Sequence, residues 1–100
     1  IKIIVVTSPE LFATFQVDNP EVAEKIITAE EKNMAITINN GYSEFLAQFV
    51  NGDNLYERMI GVDEYLKSGT SEEVYEYAGL SPDKLYERIK NILVNTIYQL

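Results

Sequence analysis

The pattern Asp-x-Leu-Tyr-Glu-Arg occurs twice in the chain, at Asp53–Arg58 and, 30 residues later, at Asp83–Arg88. In both copies an acidic residue comes first, where it stabilises the positive end of a helix, and good helix formers follow. The pattern therefore predicts that a helix begins in both places. Because nothing similar is found elsewhere in the chain, two helix starts of similar composition are favoured over a duplicated structural unit.

From Asp53 onward the sequence predicts helices throughout. Apolar residues of the first of these helices recur at helical spacing and form one stripe: Leu55, Met59, Val62 and Leu66. Gly61 weakens this helix and marks a place where it can break.

Two further helices are predicted after this one. Thr70 and Glu73 have the spacing of a capping box and open a short helix that ends at Gly79. Ser81 then caps the last helix, with Pro82 in its first position. The residues of the last helix that face the core are Leu85, Ile89 and Ile92.

The segment Ser71–Ile89 resembles a helix-turn-helix, a module whose second helix enters the DNA major groove. The residues that carry the resemblance are Gly79 at the turn, Leu80 after it and Leu85 on the following helix. Tyr75 departs from the pattern, because the family usually has alanine there, and Arg88 stands where an apolar residue is more common. The resemblance implies that the lysines and the arginine on the outward side of the second helix meet phosphates, and that Arg88 or Asn91 reads a base edge. The outward positions that it implies are Lys84, Tyr86, Glu87, Arg88, Lys90 and Asn91.

The N-terminal half begins with a predicted strand. Ile1–Val6 is a β-branched run with one lysine, and such a run is typical of a buried strand. Residues 11–17 alternate between two faces, which favours a second strand. The alternative is a helix capped by Ser8, with Pro9 in its first position. The strand is the favoured interpretation.

Further along, Asn19 and its following proline predict a helix over Pro20–Lys32. Val22, Ile26 and Ala29 follow its predicted inner face. Met34–Ile38 then predicts another strand. Apolar residues four apart within 45–50 predict a helix that is closed by Gly52.

The fold class predicted from these elements is α+β, in a single domain of 100 residues. Residues 1–52 form an α/β part, a small N-terminal sheet of two or three strands with a covering helix. Residues 53–100 form a C-terminal three-helix unit of helix-turn-helix character.

The net charge of −8 argues against general nucleic-acid binding, which needs a basic face that displaces counterions from the phosphates. Residues 1–52 carry a net charge of −4, residues 53–76 carry −5, and residues 77–100 carry +1. Nucleic acid is therefore not the favoured partner, and the last helix is the part best suited to one.

Tyrosine and acidic residues are concentrated together in the second half, which holds six of the seven tyrosines. Tyrosine favours interfaces, because its hydroxyl needs water or a partner while its ring is apolar. Carboxylates between tyrosines suit a basic protein partner. The predicted partner-binding residues are Tyr56, Glu57, Glu64, Tyr65, Glu72, Tyr75 and Glu76.

The composition gives little support to catalysis or to metal binding. The chain has no histidine and no cysteine, which excludes the usual zinc sites, histidine-based triads and thiol chemistry. Its five glycines are dispersed, so no phosphate-binding loop is predicted. We expect no enzymatic activity, no catalytic residue, no metal and no cofactor.

The sequence predicts a non-catalytic regulatory or inhibitory protein that acts by protein–protein interaction through its acidic, tyrosine-rich helical face. One alternative is a DNA-binding regulator of the helix-turn-helix type that uses the last helix. Its nucleic-acid-binding residues are Lys84, Tyr86, Arg88, Lys90 and Asn91. Another alternative is an acidic inhibitor that mimics DNA, a function that small size and negative charge would suit in a mobile element.

The end of the last helix is apolar on nearly all sides, which favours either deep burial or a homodimer. The residues of that alternative interface are Ile92, Leu93 and Ile97. No run approaches the roughly 20 apolar residues that span a bilayer. We therefore expect a cytoplasmic protein with no membrane contact.

Overall fold

The computed structural model describes residues 1–62 and 79–99, and within 96–99 it describes the backbone alone. This part of the chain has a small α+β fold. Its α-helices are α1 Pro9–Asp18, α2 Pro20–Ile26, α3 Ala29–Lys32, α4 Leu55–Arg58 and α5 Pro82–Gln99. A 3₁₀ helix covers Ser43–Phe49, and the strands are β1 Thr37–Ile38 and β2 Met59–Ile60.

Residues 11–17 lie within helix α1, so the strand that the alternation favoured is wrong and the capped helix is confirmed. The Ser8 side chain accepts a hydrogen bond from the Leu11 amide at 3.3 Å, and Pro9 occupies the first turn. Leu11 and Val17 are largely exposed. The local cap therefore outweighs the alternation, which does not correspond to a buried face.

The buried strand predicted for Ile1–Val6 is also wrong. The segment forms neither strand nor helix, and the side chains of Ile3 and Val5 are exposed. Among the described residues an ion pair holds this segment, since the Lys2 ammonium lies 3.0 Å from the Glu31 carboxylate. A β-branched run becomes a strand only when a neighbouring strand pairs with it, and here the described strands pair with each other.

The helix predicted over Pro20–Lys32 begins at Pro20 as expected but is divided in two, α2 and α3. Thr28 restarts it through a capping box that the sequence analysis missed. The Thr28 hydroxyl accepts from the Glu31 amide at 3.0 Å, and the Glu31 carboxylate accepts from the Thr28 amide at 2.9 Å. Ala23 and Ile27 are buried, whereas the predicted inner positions Val22 and Ile26 are exposed.

The sheet consists of β1 and β2, which pair in parallel with Thr37 opposite Met59 and Ile38 opposite Ile60. Ile60 is fully buried. The strand predicted at Met34–Ile38 is thus present but covers two residues. The helical stripe through Met59 is wrong, because the chain leaves the helix after Arg58 and enters β2.

Main-chain hydrogen bonds continue the parallel pairing beyond the two strands. The Asn39 amide donates to the Ile60 carbonyl at 3.1 Å, and the Val62 amide donates to the Gly41 carbonyl at 2.6 Å. Gly61 lies so close to Ser43 that an added Cβ would be 2.5 Å from the Ser43 Cα. The backbones of residues 39–43 and 60–62 therefore meet where a side chain on residue 61 has no room.

The segment between the strands is a 3₁₀ helix at Ser43–Phe49, where the sequence predicted a helix closed by Gly52. Val50 is already extended, and Gly52 has a positive φ of 88°. Phe49 and Val50 are buried, and the Phe49 ring lies 5.1 Å from that of Phe12 in α1, centroid to centroid. This crossover, which two parallel strands require, thus also packs α1 onto the core.

Helix α5 begins at Pro82 as predicted, and its predicted inner face is confirmed: Leu85 and Ile89 are half-buried and Ile92 is buried. The side-chain cap predicted at Ser81 is wrong. Its carbonyl accepts from the Leu85 amide at 2.9 Å, but its buried hydroxyl meets no partner within the described residues.

The short helix predicted to open at Thr70, together with Leu66 of the apolar stripe, lies outside the described residues. The specific three-helix arrangement therefore stays a prediction. In the part that is described, the core consists of Ala23, Ile27, Phe49, Val50, Met59, Ile60 and Ile92. No helix there has both the length and the apolar composition that crossing a bilayer requires.

Candidate functional site

Arg58 ends helix α4 and is buried, with 4% of its surface exposed. Its guanidinium donates to four main-chain carbonyl oxygens. Nη1 donates to Asn33 and Asn51, each at 2.7 Å, and to Asp53 at 3.3 Å. Nη2 donates to Lys32 at 3.1 Å and also to Asn51. Arg58 Nε meets no partner among the described residues.

These carbonyls come from two places that Arg58 joins. Lys32 and Asn33 are at the C-terminal end of α3, where carbonyl groups lack helical partners and the helix dipole favours a cation. Asn51 and Asp53 belong to the loop before α4, and the Asn51 amide donates to the Lys32 carbonyl at 2.9 Å. We call Arg58 with the carbonyls of residues 32, 33, 51 and 53 the Arg58 dock.

The Arg58 guanidinium is a positive charge that is buried among neutral carbonyl groups. Burial lowers the pKa of Arg58 below its ordinary value, and the nearby Asp53 carboxylate partly offsets this shift. Guanidinium is so strong a base that it stays charged in proteins. The hydrogen bonds of the dock are therefore charge-assisted and stronger than those between neutral groups.

Because Arg58 is fixed, the single turn of α4 is fixed with it. Asn54 precedes this turn in a left-handed conformation, with φ 58°. Tyr56 is 76% exposed and Glu57 is exposed. Two of the predicted partner-binding residues thus lie side by side on the surface, on a backbone that a buried cation holds in place.

The remaining predicted partner-binding residues lie outside the described part of the chain: Glu64, Tyr65, Glu72, Tyr75 and Glu76. The structure therefore describes one end of the predicted acidic face. The buried role of Arg58 was not predicted from the sequence, in which this arginine is the last residue of a predicted helix start. A signal for this role is present in the sequence, the apolar pair Met59-Ile60 directly after the arginine. This pair forms a strand, so the helix ends at Arg58.

All the predicted nucleic-acid-binding residues are exposed on α5: Lys84, Tyr86, Arg88, Lys90 and Asn91. At 3.6 residues per turn, Lys84, Arg88 and Asn91 share one flank of the helix. Lys90 lies about 200° around the helix from Arg88. Its ammonium is 6.0 Å from the centroid of the Tyr86 ring. Lys84, Arg88 and Lys90 therefore do not form one continuous basic face.

Of the predicted dimer residues, Ile92 is buried within the chain and Leu93 is half-exposed. The side chain of Ile97 lies outside the described part. Homodimerisation through these residues stays a prediction, and Ile92 is already packed inside the single chain.

A cleft of about 170 Å³ lies between α1 and the α2–α3 segment. Its lining is mixed: Phe12, Gln16, Pro20, Ala23, Glu24, Ile27 and Lys32. The Glu24 carboxylate is engaged by the Ala29 amide at 3.1 Å. Within residues 1–62 and 79–99, no group of three histidine, cysteine or acidic residues is placed to hold a metal ion.

Comparison of the chain with protein-family models, with characterised proteins and with solved structures found no match. Among the described residues, the feature best suited to binding is the exposed pair Tyr56 and Glu57 on the turn held by the Arg58 dock.

Proposed function

We propose that this chain is a non-catalytic regulatory or inhibitory protein that binds another protein through an acidic, tyrosine-rich surface to which Tyr56 and Glu57 belong. The observation that carries the proposal is the 76% exposure of Tyr56 on the turn that Arg58 anchors. An aromatic side chain on a fixed backbone loses little conformational entropy when a partner covers it.

Charge supports a basic partner for this surface. Glu57 adjoins Tyr56, and residues 53–76 carry a net charge of −5. Tyrosines supply most of the binding energy in many interfaces, whereas carboxylates at the rim mainly raise the association rate. The proposed surface continues through the other predicted partner-binding residues: Glu64, Tyr65, Glu72, Tyr75 and Glu76.

The test compares proteins retained from an extract of the source cells by the tagged wild-type chain, by Tyr56→Ala and by Tyr86→Ala. Tyr86 is the matched control, because it is 64% exposed in the second Leu-Tyr-Glu-Arg sequence. We expect one basic protein to be retained by the wild type and by Tyr86→Ala. We expect Tyr56→Ala to weaken its affinity by about 2 kcal/mol.

Two results would contradict the proposal. One is equal retention by all three chains, and the other is loss with Tyr86→Ala alone. Duplex DNA added to the retained complex separates the two kinds of inhibitor. Release by DNA indicates that the acidic surface mimics DNA, whereas retention indicates an interaction unrelated to DNA binding.

DNA binding is the second candidate function, and the common flank of Lys84, Arg88 and Asn91 favours it. Against it stand the position of Lys90 on the other side of the helix and the net charge of −8. Titration with duplex DNA over a range of salt tests it. Binding that weakens steeply with salt and is lost in Arg88→Ala but not in Lys90→Ala would support this function instead.

A further inference from the structure

Asn51 is followed by Gly52, and this dipeptide lies inside the Arg58 dock. Asn51 is exposed, and the positive φ of 88° at residue 52 is one that glycine adopts without strain. An asparagine side chain can form a five-membered ring with the amide nitrogen of the next residue. Glycine allows that approach best, because it has no Cβ in the way.

The Asn51 carbonyl oxygen accepts hydrogen bonds from both terminal nitrogens of Arg58, one of them at 2.7 Å. This oxygen and the Gly52 nitrogen belong to one peptide group. When that nitrogen loses its proton, the negative charge moves largely onto the oxygen. A cation already bound to the oxygen therefore stabilises the deprotonated peptide, as donors in an oxyanion hole stabilise a developing charge.

The chain contains a second Asn-Gly pair, Asn40–Gly41, which has a different environment. The Gly41 amide donates to the Asn39 side-chain oxygen at 2.7 Å, so its nitrogen is engaged. The Gly52 amide donates to no acceptor within the described residues. Asn40 is also exposed, so solvent access does not distinguish the two pairs.

We infer that Asn51–Gly52 is a self-modification site, at which the Arg58 guanidinium promotes deamidation of Asn51. Hydroxide takes the proton of the Gly52 amide, and the nitrogen attacks the Asn51 side-chain carbonyl carbon. The bond from that carbon to the side-chain nitrogen breaks, and ammonia leaves with a proton from water. Water then opens the succinimide at one of its two carbonyls, which gives aspartate or isoaspartate.

The modification would change the dock that promotes it. In isoaspartate the main chain runs through the former side-chain carbon of residue 51, and the carbonyl group that Arg58 holds becomes a free carboxylate. In aspartate the main chain is restored, and residue 51 carries a negative charge on its side chain. The inference does not depend on the proposed partner-binding function, because its test reads the chemistry of the chain itself.

The test measures conversion at both Asn-Gly pairs by peptide mapping, as the mass gained when an amino group is replaced by hydroxyl. The folded full chain is incubated beside the same chain unfolded in urea. We expect the ratio of conversion at Asn51 to that at Asn40 to be near one in urea. In the folded chain we expect it to exceed about ten, because a charged donor on the reacting group contributes at least that factor.

A folded-state ratio at or below the ratio in urea would overturn the inference, and so would cleavage between residues 51 and 52 in place of deamidation. Arg58→Lys is the second variant, because it keeps the positive charge but loses the paired donors. We expect it to reduce the folded-state ratio at least several-fold. If the lysine variant does not fold, the comparison of folded and unfolded wild type still decides.

Discussion

The two Leu-Tyr-Glu-Arg sequences of this chain have opposite structural outcomes. In Leu55–Arg58 the four residues form one isolated turn, and the arginine is 4% exposed. In Leu85–Arg88 they form part of an 18-residue helix, and the arginine is exposed. Local helix propensity is equal in both copies, so the difference comes from the surroundings of each copy.

The residues that follow each copy explain the divergence. Met59 and Ile60 are both buried as strand β2, which draws the chain out of the helix. Ile89 and Lys90 point to different sides of α5, so the helix continues. Arg58 then meets carbonyls at the end of α3, whereas Arg88 forms no hydrogen bond within the described residues. Tertiary partners thus override equal propensity.

The largest effect that sharpens this comparison is expected from Arg58→Ala. It removes a buried charged donor and leaves main-chain carbonyls without partners, so we expect a loss of about 3 kcal/mol in the free energy of unfolding. Arg88→Ala is the matched control and should change it by less than about 0.5 kcal/mol. Urea unfolding of both variants measures the difference. Equal losses would show that the dock contributes no more than an exposed arginine does.

The next effect is expected at the glycines that flank the two copies. Gly61→Ala would place a Cβ 2.5 Å from the Ser43 Cα, so backbones must shift. We expect this to cost about 2 kcal/mol. Gly79→Ala meets no atom within 4 Å but must adopt φ 77°, which costs about 1 kcal/mol. A smaller loss for Gly61→Ala than for Gly79→Ala, by urea unfolding, would contradict the close approach of the two segments.

Acid should reduce the contribution of Arg58 to the free energy of unfolding. The reason is that Glu31 caps α3, and the C-terminal end of α3 provides two carbonyls of the dock. The hydrogen bond from the Thr28 amide, followed by that from Lys2, lowers the pKa of Glu31 below its ordinary value of 4.5. Its stabilising contribution is therefore complete above pH 4.5 and is lost as the pH falls through the folded-state value.

Below the folded-state pKa of Glu31, α3 is expected to fray, and the hydrogen bonds of the dock are expected to weaken. The difference in unfolding free energy between the wild type and Arg58→Ala should then shrink as the pH falls below 4.5. In a Glu31→Gln background, where the cap has no carboxylate to titrate, the acid-dependent part of that change should be absent. If the difference in unfolding free energy does not shrink in acid, the dock is stable without the cap of α3.

Local signals in this sequence mark three helix starts, although the helix at Pro9 was only the alternative to a favoured strand. Pro9, Pro20 and Pro82 each occupy the first position of a helix, because proline is already in the required conformation and needs no amide partner there. Ile1–Val6 and Met59–Ile60 show the limit of such signals. Ile1–Val6 is rich in strand-forming residues but pairs with no described strand. Met59–Ile60 follows a helical pattern of apolar residues but pairs with β1 as a strand.

The candidate site divides in the same way. Exposure of Tyr56 and Glu57 follows from their polar groups and helical spacing, which the sequence contains. Burial of Arg58 depends on carbonyls 25 and 26 residues earlier in the chain, at residues 33 and 32. No local pattern specifies a contact at that separation. The role of the exposed pair in binding a partner stays a prediction.

The smallest expected difference between the two copies concerns their tyrosines. Tyr86 has a lysine ammonium 6.0 Å from its ring centroid, contributed by Lys90 one turn later. No such pair involves Tyr56 within the described residues.

At an exposed site the contact between Lys90 and Tyr86 should contribute about 0.5 kcal/mol at low salt. A double-mutant cycle of Tyr86→Ala and Lys90→Ala should therefore give a coupling of that size, which salt reduces. The corresponding cycle of Tyr56→Ala with Lys90→Ala should give none. Coupling in the second cycle would mean that the two copies approach each other.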